Sequence, residues 1–156
     1  MTLTVALSRQ QEEECAIVSV PEKGIMRQIS RELQTIIDSV PAYIFVKDRE
    51  NRFVRANRAF AASVDIPVED LPGSSAFDLF PPELAEQYWA DDLEVINGGR
   101  PKLGIVEKGR TAGGEGWFST DKIPHYGQDG EIIGVIGVAT DITRRKARDE
   151  ALQRKR

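Results

Sequence analysis

The 156-residue chain has one cysteine and one histidine. With Cys15 alone, no internal disulfide can close and no multi-cysteine metal site can be built. Long apolar runs are also missing. The longest is Ile132 to Ala139, eight residues that include Gly134 and Gly137. A membrane helix needs about 20 apolar residues, so no transmembrane span is expected. The amino terminus lacks a basic region followed by an apolar stretch, so no secretory signal is read. The expected location is cytoplasmic, with Cys15 a free thiol. Aromatic residues are sparse at 7%, yet hydrophobic residues reach 40%. That is enough apolar material for a real core, in a chain of one ordinary domain's length.

Positive charge is scarce except at one end. The net charge of −4 conceals an acidic body and a basic tail. From Arg144 to Arg156 seven basic residues are opposed only by Asp149 and Glu150, leaving +5 there and −9 elsewhere. The acidic body argues against nucleic acid as a partner. The tail reads as a solvated helix.

Residues 1–24 are irregular and read as a loosely attached extension. Ile25, Met26, Ile29, Leu33, Ile36, Ile37 and Val40 then recur at steps of three and four, an amphipathic helix over 25–40 that ends before Pro41. Tyr43–Phe45–Val46 and Phe53 to Ala56 read as two strands of a hairpin, turned at Asp48 to Asn51. Asn57 is a structural cap for a short helix containing Phe60. A further short helix begins at Pro67. Pro81 and Pro82 open the longest helix, with Ala85, Trp89, Leu93 and Ile96 on one stripe and Leu84 and Tyr88 beside it. Asn97–Gly98–Gly99 stops it. Three strands joined by tight turns follow, over Lys102 to Arg110, Trp117 to Ile123 and Ile132 to Thr143. A charged helix starts at Arg144. Because an isolated hairpin is barely stable, the early strands must join the late ones. The expected fold is α+β: a five-stranded antiparallel sheet with helices across one face.

Several stretches carry a resemblance: Val46-Lys47-Asp48-Arg49-Glu50-Asn51-Arg52-Phe53, Arg55 to Phe60, Phe77-Asp78-Leu79-Phe80-Pro81, Gly116-Trp117-Phe118, and above all Asp129-Gly130 through Asp141-Ile142-Thr143. In these stretches the chain resembles the PAS family of sensory domains, over roughly Leu33 to Leu152. The resemblance implies a PAS core over 41–143 whose cupped sheet and long helix enclose a small cavity. Such domains bind a small molecule or cofactor, or simply mediate dimers. They relay a conformational change to an output domain in the same polypeptide, such as a histidine kinase or a diguanylate cyclase. The last helix, 144–156, then reads as the start of an output-linker helix. The chain stops about two turns beyond Ala147, which suggests one piece of a longer protein, with Met1 suggesting its amino-terminal end.

Tyr43, Phe45, Phe60, Tyr88, Trp89 and Leu93 are the candidate lining of that cavity, or else plain core. Few polar groups are expected to point inward, which favours an apolar or weakly polar ligand. Asp141, Ile142 and Thr143 are the candidate signal-coupling joint: Asp and Thr can bond the free N–H groups of a starting helix. Haem-binding members use a histidine on or near the long helix, and His125 sits instead at a turn edge. Flavin–thiol photochemistry needs a cysteine after the early helices, and Cys15 precedes the domain. Neither cofactor is therefore supported, and no metal site is expected. Gly104 to Thr111 has phosphate-loop spacing and Ser119 to Lys122 fits S-x-x-K, but both fall on strands. No catalytic residues are assigned, and the module is expected to be non-enzymatic. The surplus apolar stripe of the leading helix, with the exit helix, points to a homodimer. The alternative function is a ligand-free dimerisation domain with a filled core.

Overall fold

The computed structural model describes residues 21–156. The expected extension, including Cys15, falls almost wholly outside the described residues. The chain divides at Ile36–Ile37 into two units, and each is considered by itself. The first contributes most of α1 (Glu22–Asp38), a longer helix than the expected 25–40 at its start and shorter at its end. Ile25, Met26, Ile29, Leu33 and Ile36 share one of its faces by spacing.

The second unit contains the sheet. Its elements are β1 (Tyr43–Asp48), β2 (Phe53–Ala56), α2 (Arg58–Ser63), a 3-10 turn (Val68–Asp70), α3 (Ala76–Leu79), α4 (Pro82–Gly98), β3 (Lys102–Thr111), β4 (Gly114–Tyr126), β5 (Ile132–Asp141) and α5 (Thr143–Arg154). The strand order is β2-β1-β5-β4-β3, and every neighbouring pair is antiparallel. The five-stranded α+β architecture expected from the sequence is therefore present. The phosphate-loop and S-x-x-K strings lie on β3 and β4, as strand residues.

Local chemistry sets the ends of these elements. In the β1–β2 turn, Asp48 Oδ1 accepts from the backbone N–H groups of Glu50 (2.9 Å) and Arg52 (3.0 Å). Asn51 there adopts φ 64°, a left-handed conformation that Asn tolerates. Asn57 caps α2 and is fully buried. Its Oδ1 accepts from the N–H groups of Phe60 and Ile44, and its Nδ2 donates to the carbonyls of Ala42 and Ile37. One side chain thus makes all four bonds its amide can offer and locks the start of β1 to the start of α2. Pro82 sits in the first turn of α4, where its missing N–H costs nothing, and Gly99 closes the helix at φ 66°.

Two apolar clusters form the core. One is built from Phe53, Ala56, Phe60, Val64 and Leu71, with Tyr43 and Phe45 packed against it. The other joins Val95 and Ile96 of α4 to Val135 of β5, with Trp89 and Ile132 alongside. Gly137 lies opposite Phe45, and a Cβ there would meet the phenyl ring at 2.1 Å. Glycine lets Phe45 lie flat on the floor of a cup.

Candidate functional site

Strand alternation decides what faces the cup. Tyr43, Phe45 and Lys47 occupy successive same-side positions on β1. Phe118, Thr120 and Lys122 do so on β4, and Glu107 and Gly109 on β3. All eight line one cavity of about 60 Å³, closed on the helical side by α4 through Tyr88 and Asp92 and by Phe60 and Phe80. One half is aromatic. Phe60 stacks within 5.4 Å of Phe45 and 5.3 Å of Phe53, and Phe118 within 5.1 Å of Tyr43.

The other half is ionic, contrary to the expectation of few inward polar groups. Asp92, fully buried on α4, accepts from Lys47 Nζ at 2.5 Å and from Lys122 Nζ at 2.6 Å. Lys122 donates also to the carbonyl of Tyr88 at 3.0 Å. Both lysines are 98% buried or more, being 2% and 1% exposed. Desolvation lowers the Lys47 pKa, and the charge of Asp92 opposes part of that shift. Lys47 also lies over the rings of Phe53 (5.4 Å) and Trp89 (5.7 Å), so the faces of two aromatic rings share its charge. Tyr88 donates its hydroxyl to the carbonyl of Lys108 at 2.7 Å, and burial keeps that phenol protonated.

Glu107 completes the ionic half. Burial raises its pKa above the usual 4.5, and the hydroxyl of Thr120 and the charge of Lys122 offset part of the rise. Glu107 Oε2 and Thr120 Oγ1 are buried without a hydrogen bond of acceptable geometry. The folded protein therefore holds this proton more tightly than the unfolded chain. The stability contributed by neutral Glu107 is fully present below pH 4.5 and is lost as pH rises through the raised value. The permanently neutral Glu107→Gln variant should escape that loss. Urea midpoints should show its advantage over wild type growing with pH and then levelling off. A difference that stays constant with pH would refute the assignment.

The six residues proposed from sequence divide in the structure. Tyr43, Phe45, Phe60 and Tyr88 line the cavity, whereas Trp89 and Leu93 do not. Trp89 belongs to the Val95–Ile96–Val135 cluster. The face of α4 turned inward carries Ala85, Asp92, Val95 and Ile96, so Asp92 takes the place that the stripe reading gave to Leu93. The signal was available: Asp92 lies seven residues after Ala85 and four before Ile96, an acid in the middle of an apolar stripe. His125 lies on β4, outside the cavity lining. Among the described residues, no group of three or more His, Cys, Asp or Glu is placed to hold a metal ion. No helix among them is long and apolar enough to cross a membrane.

The second candidate region is the joint after β5. Asp141 Oδ1 accepts from the backbone N–H (2.9 Å) and the hydroxyl (2.6 Å) of Thr143. The Thr143 hydroxyl oxygen in turn accepts from the N–H of Trp117 on β4 at 3.0 Å. Ile142 N–H donates to the Trp117 carbonyl at 2.9 Å. Thus only Asp141 bonds a helix-start N–H here, while Thr143 ties α5 to the sheet. Lys146, one turn along α5, stands 4.1 Å over the Trp117 ring.

Comparison with known proteins places this architecture. FilI, the methanogenesis regulatory histidine kinase of Methanothrix harundinacea (strain 6Ac), is 30% identical over 113 residues, covering 72% of this chain and 13% of FilI. A diguanylate cyclase of Vibrio cholerae serotype O1 is 27% identical over 115 residues, covering 70% of this chain and 35% of the cyclase. The chain thus spans far less than two-thirds of either relative. The PAS domain of Bordetella pertussis BvgS superposes with a TM-score of 0.58 at 22% identity, covering 84% of this chain and 98% of that domain. The family described as PAS fold matches residues 37–147. The chain belongs to the PAS fold family, and it is homologous to parts of a histidine kinase and of a diguanylate cyclase.

Proposed function

We propose that this domain senses a small molecule in its cup and relays the signal through α5 to an output domain of the same polypeptide. Its relatives point to a histidine kinase or a diguanylate cyclase as that output, and the reading sets the domain in the cytoplasm. The observation that carries the reading is the double duty of β4. Phe118, Thr120 and Lys122 line the cavity, while the adjacent Trp117 makes the backbone and ring contacts that hold Thr143 and Lys146. Phe118 is also the cross-strand partner of Asp141. A ligand that favours one seating of β4 thereby favours one seating of the exit helix. The domain itself does no chemistry in this reading. It works as a homodimer, with the apolar face of α1 and the exit helix as the pairing elements.

Asp141→Ala tests the relay, with two readouts. Output activity of the intact gene product should lose its response to signal, while light scattering should still show a dimer. Signalling equal to wild type would sink the relay, and a monomer at high concentration would sink the dimer.

A further inference from the structure

We propose that the cup takes a small monocarboxylate of about three to five carbons. Its carboxylate lies among Lys47, Lys122 and Glu107, and its apolar tail lies against Phe45, Phe60 and Phe118. The inference rests on the sensing reading above and names the ligand class.

Size sets the first limit. A cavity of about 60 Å³ is several times the ~10–15 Å³ one water needs, yet smaller than the ~150 Å³ cavity that admits benzene. Polarity sets the second, because aromatic rings line one half and ionisable groups the other.

The hydrogen-bond inventory sets the third. Each ammonium has three N–H donors. Lys47 uses one on Asp92, and Lys122 uses two, on Asp92 and the Tyr88 carbonyl. Three donors remain without a hydrogen bond, on two ammonium groups that both line the cavity. Glu107 Oε2 and Thr120 Oγ1 stand beside it, buried, near each other but in no well-formed hydrogen bond. Buried polar groups left open in this way are costly. An incoming carboxylate offers lone pairs to the ammonium groups and accepts from the acid of Glu107 or the hydroxyl of Thr120.

Charge sets the fourth. Two lysines share one aspartate, and burial favours neutral Glu107. Where Glu107 carries its proton, two ammonium groups face one carboxylate, and an anion balances them. Lys108 and Arg110, exposed at the rim, add to the field that draws an anion in. A cation would worsen the balance, and a second carboxylate would meet the aromatic wall.

Calorimetric titration of the full chain with butyrate and with its neutral counterpart butyramide tests the inference. Butyrate should bind saturably and about tenfold or more tighter than butyramide, the worth of a charge-assisted hydrogen bond. Lys122→Met, which keeps the Lys47–Asp92 pair, should lose about that factor. Glu107→Ala, which leaves the lysine–aspartate cluster whole, should weaken butyrate as well. Butyramide binding as tightly as butyrate, no saturable butyrate binding, or wild-type affinity in both variants would overturn the proposal. Binding of butyramide alone would leave sensing standing without the carboxylate. Butyrate binding that leaves hydrogen exchange at Thr143 to Lys146 unchanged would support the ligand class and remove the relay.

Discussion

Asp92→Ala is expected to destabilise the fold by about 3–5 kcal/mol. The aspartate is fully buried and is the shared counter-ion of Lys47 and Lys122, both equally enclosed. Removing it leaves two ammonium groups facing each other where water cannot solvate them. The chain can escape part of the cost by releasing a proton from Lys47, whose pKa burial already lowers. The unfolded chain then binds more protons than the folded one, so the variant should regain stability as pH rises toward 10.5. Denaturant unfolding of the wild type and the variant across pH measures both effects. Replacing all three groups at once, as Lys47→Met, Asp92→Leu and Lys122→Met, should be nearly neutral or even stabilising by about 1–4 kcal/mol. That contrast separates the cost of a broken pair from the worth of an intact one. A loss below about 1 kcal/mol in Asp92→Ala would show that water reaches the cluster.

Phe60→Ala is expected to cost about 3–5 kcal/mol. The ring is 6% exposed and packs on Tyr43, Phe45 and Phe53, so its loss opens the aromatic half of the cup. The helix itself should survive, since Asn57 caps it through the backbone N–H of residue 60, which the substitution keeps. Alanine's better helix propensity returns roughly half a kcal/mol at most. Unfolding in urea reads the loss, and retained helical circular dichroism confirms that the cavity is responsible. A loss near 1 kcal/mol would mean that neighbouring rings collapse into the space.

These two residues were unequally visible in the sequence. Phe60 stands in an apolar helix after a capping Asn, and local pattern alone makes it core. The five strands were legible for the same reason: alternation and turn residues are local signals. Asp92, Lys47, Lys122 and Glu107 were not recognised, because a lone charge on an amphipathic element normally faces water. Period two does place Lys47 on the side of Tyr43 and Phe45, and Lys122 on the side of Phe118. What local pattern cannot supply is the pairing. Lys47 and Asp92 are 45 residues apart, and Lys122 and Asp92 are 30 apart. Only the order β2-β1-β5-β4-β3, with α4 laid across it, turns three unrelated charges into one cluster. The exit joint shows the same divide. Asp141 and Thr143 could be read as a helix start, but the bond from Trp117 to Thr143 spans 26 residues and depends on β4 lying beside β5.

The pleat of β4 has a mechanical consequence. Phe118 points into the cup and Trp117 away from it, so the inside of the domain and its outgoing helix are separated by one peptide unit, about 3.8 Å of chain. That unit is planar and stiff. The Phe118 backbone cannot tilt without carrying the Trp117 carbonyl, which accepts from the N–H of Ile142, so the chamber and the exit work as two ends of one short lever whose fulcrum is the sheet.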